Sequence, residues 1–124
     1  MIYKSKETGS APTGGNHMKK IYICSPFWGT SNRERNIAVA ISACQKVVNE
    51  QCEPLAPHLY FPMFLDDSLP EQREIGIMFG LTWLEGCDEM WVIGSIITEG
   101  MEREIRFARN RGIHIKHVPV GTEI

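Results

Sequence analysis

Four short apolar runs separated by stretches of helical spacing set the strongest limit on what this chain can fold into. Lys20-Ile21-Tyr22-Ile23-Cys24 is apolar and β-branched and stops at Ser25-Pro26, as a buried strand does. Glu53-Pro54-Leu55-Ala56 reads as a brief second strand, Met90-Trp91-Val92-Ile93 as a third ending at Gly94, and Ile113 to Val118 as a fourth. After the first, Ile37, Ala40, Ile41, Cys44, Val47 and Val48 recur at helical spacing and predict a helix from Asn32 to Glu50. Ser31-Asn32-Arg33-Glu34 supplies the S-x-x-E pattern of a capping box at its start. Ser68-Leu69-Pro70-Glu71 repeats that pattern, and the helix after it is expected to run to Gly86 with Ile75, Met78, Phe79 and Trp83 inward. A third helix, Gly100 to Asn110, closes at Arg111-Gly112, where glycine suits a helix exit. Pro57 to Leu65 is apolar but carries two prolines, and reads as a loop packed against the body of the protein.

Strands alternating with helices argue an α/β fold: one Rossmann-like or flavodoxin-like domain, a three-layer sandwich around a mostly parallel sheet. Right-handed crossovers bring the strand-to-helix loops to the carboxyl edge of such a sheet, where ligands bind. Three loops converge there: Ser25 to Arg33, Leu55 to Leu69, and Gly94 to Gly100.

Composition narrows the function classes. The chain has 124 residues, 43% hydrophobic and 23% charged, the proportions of a single globular domain. With 13 Lys+Arg against 15 Asp+Glu the net charge is −2, which argues against general nucleic-acid binding and against an acidic membrane surface. No uncharged run reaches the ~18 residues of a membrane span. Cys24, Cys44, Cys52 and Cys87 form no CxxC and no short-range pair with histidine, so they read as reduced thiols of a cytoplasmic protein rather than a zinc or redox site. Met1 to His17 is polar and breaker-rich and is expected to be a flexible extension outside a domain spanning 18–124. Gly14-Gly15 fits either a natural start at Met18 or a cloning junction at His17-Met18. A domain this small buries a modest core, so a homodimer or higher homo-oligomer is the expected state.

Glu104 is the residue least explained by structure alone. At ~100° per residue, Met101, Ile105 and Ala108 mark the buried stripe of the third helix, and Glu104 falls at its margin, about 60° from Met101. Glu102 with Arg106 and Glu99 with Arg103 are i,i+4 pairs, whereas no basic residue stands three or four positions from Glu104. A carboxylate one turn into a helix beside the carboxyl edge either faces a ligand or pairs elsewhere in the fold. Ser25-Pro26-Phe27-Trp28-Gly29, followed by a helix start with Arg33, offers backbone amides to an anion, or is simply a strand exit and cap. Gly94, Ser95, Thr98, Glu99, Gly100 and Met101 lie where glycine permits close approach to a ligand. His58 sits in the proline loop as a binding or a structural group, and Asp88 before the third strand as a binding group or a turn residue. GxGxxG, GKS/T, HExxH and GxSxG are absent, and neither a metal nor an organic cofactor is expected.

Ile21-Tyr22-Ile23-Cys24-Ser25-Pro26-Phe27, Cys87 to Gly94, and Glu99-Gly100-Met101-Glu102-Arg103-Glu104-Ile105-Arg106-Phe107-Ala108 together resemble the nucleoside 2-deoxyribosyltransferase superfamily, in particular its small bacterial and phage-borne relatives. The first matches an opening "YLAGPF"-type strand and loop, the last the "G-x-x-x-E-[IL]-x-x-A" helix start. The resemblance implies that Glu104 is a nucleophile attacking C1′ of a nucleoside or nucleotide sugar, giving a glycosyl ester that passes to another base or to water. It also implies subunits that complete one another's sites. Two acids of the family pattern are missing, since Thr98 and Gly80 stand in their places. Base protonation then falls to Glu99, Asp88 or His58, or the domain is a non-catalytic nucleotide-binding module.

Overall fold

The computed structural model describes residues 18–26 and 32–120. The expected extension at 1–17, the first loop with Phe27 and Gly29, and the cap at Ser31 lie outside the described residues. The elements are β1 (Lys20–Cys24), α1 (Arg33–Asn49), β2 (Glu53–Leu55), α2 (Pro57–Tyr60), a 3-10 turn (Phe61–Met63), α3 (Pro70–Glu85), β3 (Glu89–Ile93), α4 (Glu99–Asn110) and β4 (His114–Val118). The sheet runs β2-β1-β3-β4, and every pairing is parallel. Tyr22 stands opposite Leu55 on one side and Met90 on the other.

Alternation along the strands builds two cores. Ile21, Ile23, Trp91 and Ile93 pack with Ala43 and Val47 of α1 on one face. Tyr22, Cys24, Met90 and Val92 pack with Leu84 of α3 and Met101, Ile105 and Ala108 of α4 on the other. Because both faces are covered, β3 is buried along its whole length, which is why it reads as an unbroken apolar run. Gly112, at φ +73°, follows the α4 cap residue Arg111, in the left-handed conformation expected of a helix-exit glycine. The expected α/β three-layer domain with a parallel sheet is the fold observed.

Several local expectations are corrected. Pro57–Met63 is not a loop but a helical turn followed by a 3-10 turn. Each proline falls in a first turn, where the missing N–H costs nothing. Their aromatic rings explain the packing, with Phe61 4.6 Å from Trp83 and 5.3 Å from Phe79 between ring centroids. Ser68 does not cap α3; Leu69 holds that position, while the Ser68 hydroxyl and amide both donate to Asp66 Oδ1. On α3 the inward residues are Gly80 and Leu84, Trp83 is half-buried, and Ile75, Met78 and Phe79 are exposed. No charged residue occurs from Ile75 to Leu84, so periodicity there could not choose a face. The glycine face turns in because it allows close approach to β1. Arg103 pairs with Glu74 of α3 at 3.1 Å instead of with Glu99.

Candidate functional site

Two elements of opposite character meet over the inner face of the sheet. Tyr22 is a phenol inside a buried apolar strand, so its hydroxyl needs an internal partner. That partner is Glu104. Helix α4 opens at Thr98, whose hydroxyl accepts the Met101 amide at 3.1 Å, and this cap sets the rotation that turns Glu104 inward beside Met101 and Ile105. Glu104 is only 6% exposed, and the Tyr22 hydroxyl donates to its Oε2 at 2.8 Å. His58 Nε2, brought in by α2, lies 3.6 Å from the same oxygen, an ion-pair distance rather than a hydrogen bond. Glu104 Oε1 has no hydrogen-bond partner among the described residues.

The carboxylate forms part of the wall of a cavity of about 340 Å³. Phe61, Pro62, Leu65 and Ile77 supply an apolar side, and Asp67, Gln72 and Arg73 a polar one. Thr98, Glu99, Gly100 and Met101 add the start of α4. Burial, reinforced by the negative charge of Glu104, pushes the Tyr22 hydroxyl well above its ordinary range, so it remains a donor. Burial lowers the His58 imidazole, against an opposing pull from Glu104 and Asp67. The Cys24 thiol is raised by burial and then by Glu104, so it is no thiolate nucleophile.

Six of the expected residues come together at this cavity: Glu104, His58, Thr98, Glu99, Gly100 and Met101. Others do not. Asp88 sits at the amino edge of the sheet, where its carboxylate accepts the Lys20 amide at 2.8 Å and its own amide bonds Lys20 O. It therefore does not line this cavity and serves as a turn group tying β1 to the start of β3. Ser25 is buried, and its hydroxyl has no partner among the described residues. Pro26, Gly94 and Ser95 line a separate depression with Arg35, Asn36 and His117 beside α1. Gly94, at φ +85°, is explained by its turn and by Val120, whose Cγ2 would lie 3.0 Å from an added Cβ. Arg33 lines a neighbouring groove with Phe64, Asp66 and Asp67. Sequence reasoning missed Tyr22 as a site residue, although a phenol within K-I-Y-I-C was a signal that a polar partner crosses the core. Asp67, Gln72 and Arg73 carried no such signal. Among the described residues no group of three His, Cys, Asp or Glu side chains is placed to hold a metal ion, and no helix is long and apolar enough to cross a membrane. The four cysteines are free thiols.

The parallel four-stranded sheet with helices on both faces is a 2-deoxyribosyltransferase-like fold. The 2-deoxyribosyltransferase of the psychrotolerant bacterium Bacillus psychrosaccharolyticus, described as a biocatalyst for the synthesis of antiviral and antitumoral nucleosides, superposes with a TM-score of 0.66. The match covers 85% of this chain and 75% of that one at 19% sequence identity, a likeness of fold. By sequence, residues 19–118 match the family model DUF7768, a domain of unknown function, and the chain belongs to that family. Comparison with curated proteins finds no match.

Proposed function

We propose that this protein cleaves or transfers the N-glycosidic bond of a nucleoside or nucleotide, with Glu104 as the nucleophile toward C1′ of the sugar. One observation carries the reading: a carboxylate buried at a cavity wall, gripped at Oε2 by Tyr22 while Oε1 has no hydrogen-bond partner among the described residues. Leaving a buried polar oxygen without a partner costs about 1–3 kcal/mol, a cost that function can explain and packing does not. A carboxylate so held is suited to capturing an oxocarbenium-like carbon. The glycosyl-transferring fold neighbour makes that chemistry the natural one to test. The experiment incubates the protein with a panel of nucleosides and nucleoside 5′-monophosphates, base-modified ones included, with and without an added free base. Chromatographic base release that vanishes in Glu104→Gln supports the reading, and dependence on the added base separates transfer from hydrolysis. A nucleotide retained without base release would instead favour a non-catalytic binding module.

The same reading includes a second copy of the chain. Tyr60, Met63, Phe64, Ile75, Met78 and Phe79 are exposed along α2, the 3-10 turn and α3, with Met63 77% and Met78 59% accessible. Together they leave on the order of 700 Å² of apolar surface, close to one side of a standard-size interface. With no charge from Ile75 to Leu84, the face complements another copy of itself better than a charged partner.

A further inference from the structure

Resting on that reading, we propose that the preferred substrate is a nucleoside whose base already carries a positive charge, an N-alkylated purinium or a pyridinium, so that the base departs neutral without being protonated. Ordinary nucleosides need a proton on the leaving base, and among the described residues the surroundings of Glu104 are poor in donors for it. Position 80 has no side chain, because the Tyr22 hydroxyl occupies that space, 3.0 Å from where a Cβ would stand. Position 98 contributes only an alcohol hydroxyl, a far weaker acid than a carboxyl group, and it caps α4 by accepting the Met101 amide. The Tyr22 proton is committed to Glu104 Oε2. Arg73 keeps its proton at any pH a protein survives. The imidazole that lies beside the carboxylate among the described residues, His58, is biased by burial toward its neutral form, although Glu104 and Asp67 pull the other way.

What the cavity does offer is negative charge. Glu104 from α4, Glu99 at the start of the same helix and Asp67 from the segment before α3 line it, against the guanidinium of Arg73. The second observation is Glu104 Oε1, which has no hydrogen-bond partner among the described residues and sits on a side chain more than nine-tenths buried. A cationic base over this cavity is attracted electrostatically by these carboxylates.

The steps balance without an acid. A carboxylate oxygen of Glu104 bonds to C1′ as the C1′–N bond breaks, and the bonding pair neutralises the cationic nitrogen. The neutral base leaves. Water then attacks C1′, its proton passes to the neutral His58 imidazole, and the ester bond returns its electron pair to Glu104. His58 finally releases the proton to solvent.

The test compares 7-methylguanosine and 7-methyl-2′-deoxyguanosine with their unmethylated parents at pH 6, using the full chain and chromatographic base release. General acid catalysis contributes about 10²–10⁴-fold, so a site lacking it should show kcat/KM at least about 100-fold higher for the methylated member of a pair. Release from the methylated nucleosides should fall to the spontaneous rate in Glu104→Gln. The combined Asp67→Asn and Glu99→Gln variant should lose about tenfold or more of the preference for the cation, as removal of two nearby carboxylates implies. Parents released within tenfold of their methylated counterparts would overturn the proposal while leaving the N-glycosidic reading intact. No release from any of the four above the Glu104→Gln background would overturn both.

Discussion

Tyr22 and Gly80 share one space: a Cβ added to Gly80 would lie 3.0 Å from the Tyr22 hydroxyl and 3.9 Å from Glu104 Oε2. The phenol that holds the carboxylate therefore packs tightly against the glycine of the helix facing it, and a methyl group there would press on the hydroxyl. Alanine at a helix interior is intrinsically favoured over glycine by about 1 kcal/mol. In this protein Gly80→Ala should forfeit that gain and shift Tyr22 off Glu104. In a Tyr22→Phe background, which removes the crowded oxygen, Gly80→Ala should be stabilising by up to about 1 kcal/mol. Denaturant melts of the two single variants and the double variant give the coupling. Additive effects would contradict it.

At Glu104 the identity of the replacement matters. Glu104→Gln keeps an acceptor for the Tyr22 hydroxyl and removes a buried charge, so the melting temperature should hold or rise even as base release is lost. Glu104→Ala leaves the Tyr22 hydroxyl without its acceptor and should cost about 1–3 kcal/mol. A thermal melt of both variants checks the ordering. A Gln variant less stable than the Ala variant would be incompatible with it.

His58 predicts a pH dependence of stability. Folding lowers its affinity for a proton, chiefly through burial. On acidification the unfolded chain takes up the proton first, near the ordinary value of about 6.5, and the folded chain only below it. The contribution is therefore fully present above about pH 6.5 and is lost as the pH falls toward the folded value. His58→Gln should flatten stability against pH in that window. An unchanged slope in urea melts from pH 7 to pH 5 would remove His58 as its source.

The exposed apolar face along the 3-10 turn and α3 should govern association. Met63→Lys together with Met78→Lys places charge at two of the most exposed side chains of this face, so folding should be nearly unaffected. Sedimentation velocity should show the wild type heavier than one chain and the double variant as monomer. A monomeric wild type at tens of micromolar would rule this interface out.

The layered α/β fold was legible because its signals are local. β-Branched runs of strand length and helical spacing at Ile37 to Val48 need no distant information, and four strands alternating with three helices admit few topologies. Glu104 stood out for a similar reason, as an acid at the margin of an apolar stripe with no partner on its own helix. Of the two readings of Asp88, the turn residue fits its place just before β3, at the amino edge of the sheet, where it bonds the Lys20 backbone. The face of α3 was unreadable, since a helix apolar all round has no period to betray its orientation.

Residue types and their spacing thus determined by themselves the parallel sheet, the order of its elements and the oddity of one glutamate. Tertiary structure alone decided that Tyr22 crosses the core to meet that glutamate 82 positions away, that Gly80 makes room for it, and that His58 comes within 3.6 Å. The physical reason is one of range. Helix and strand periodicity act over a few residues, whereas a buried polar group finds its partner through whichever elements packing brings together.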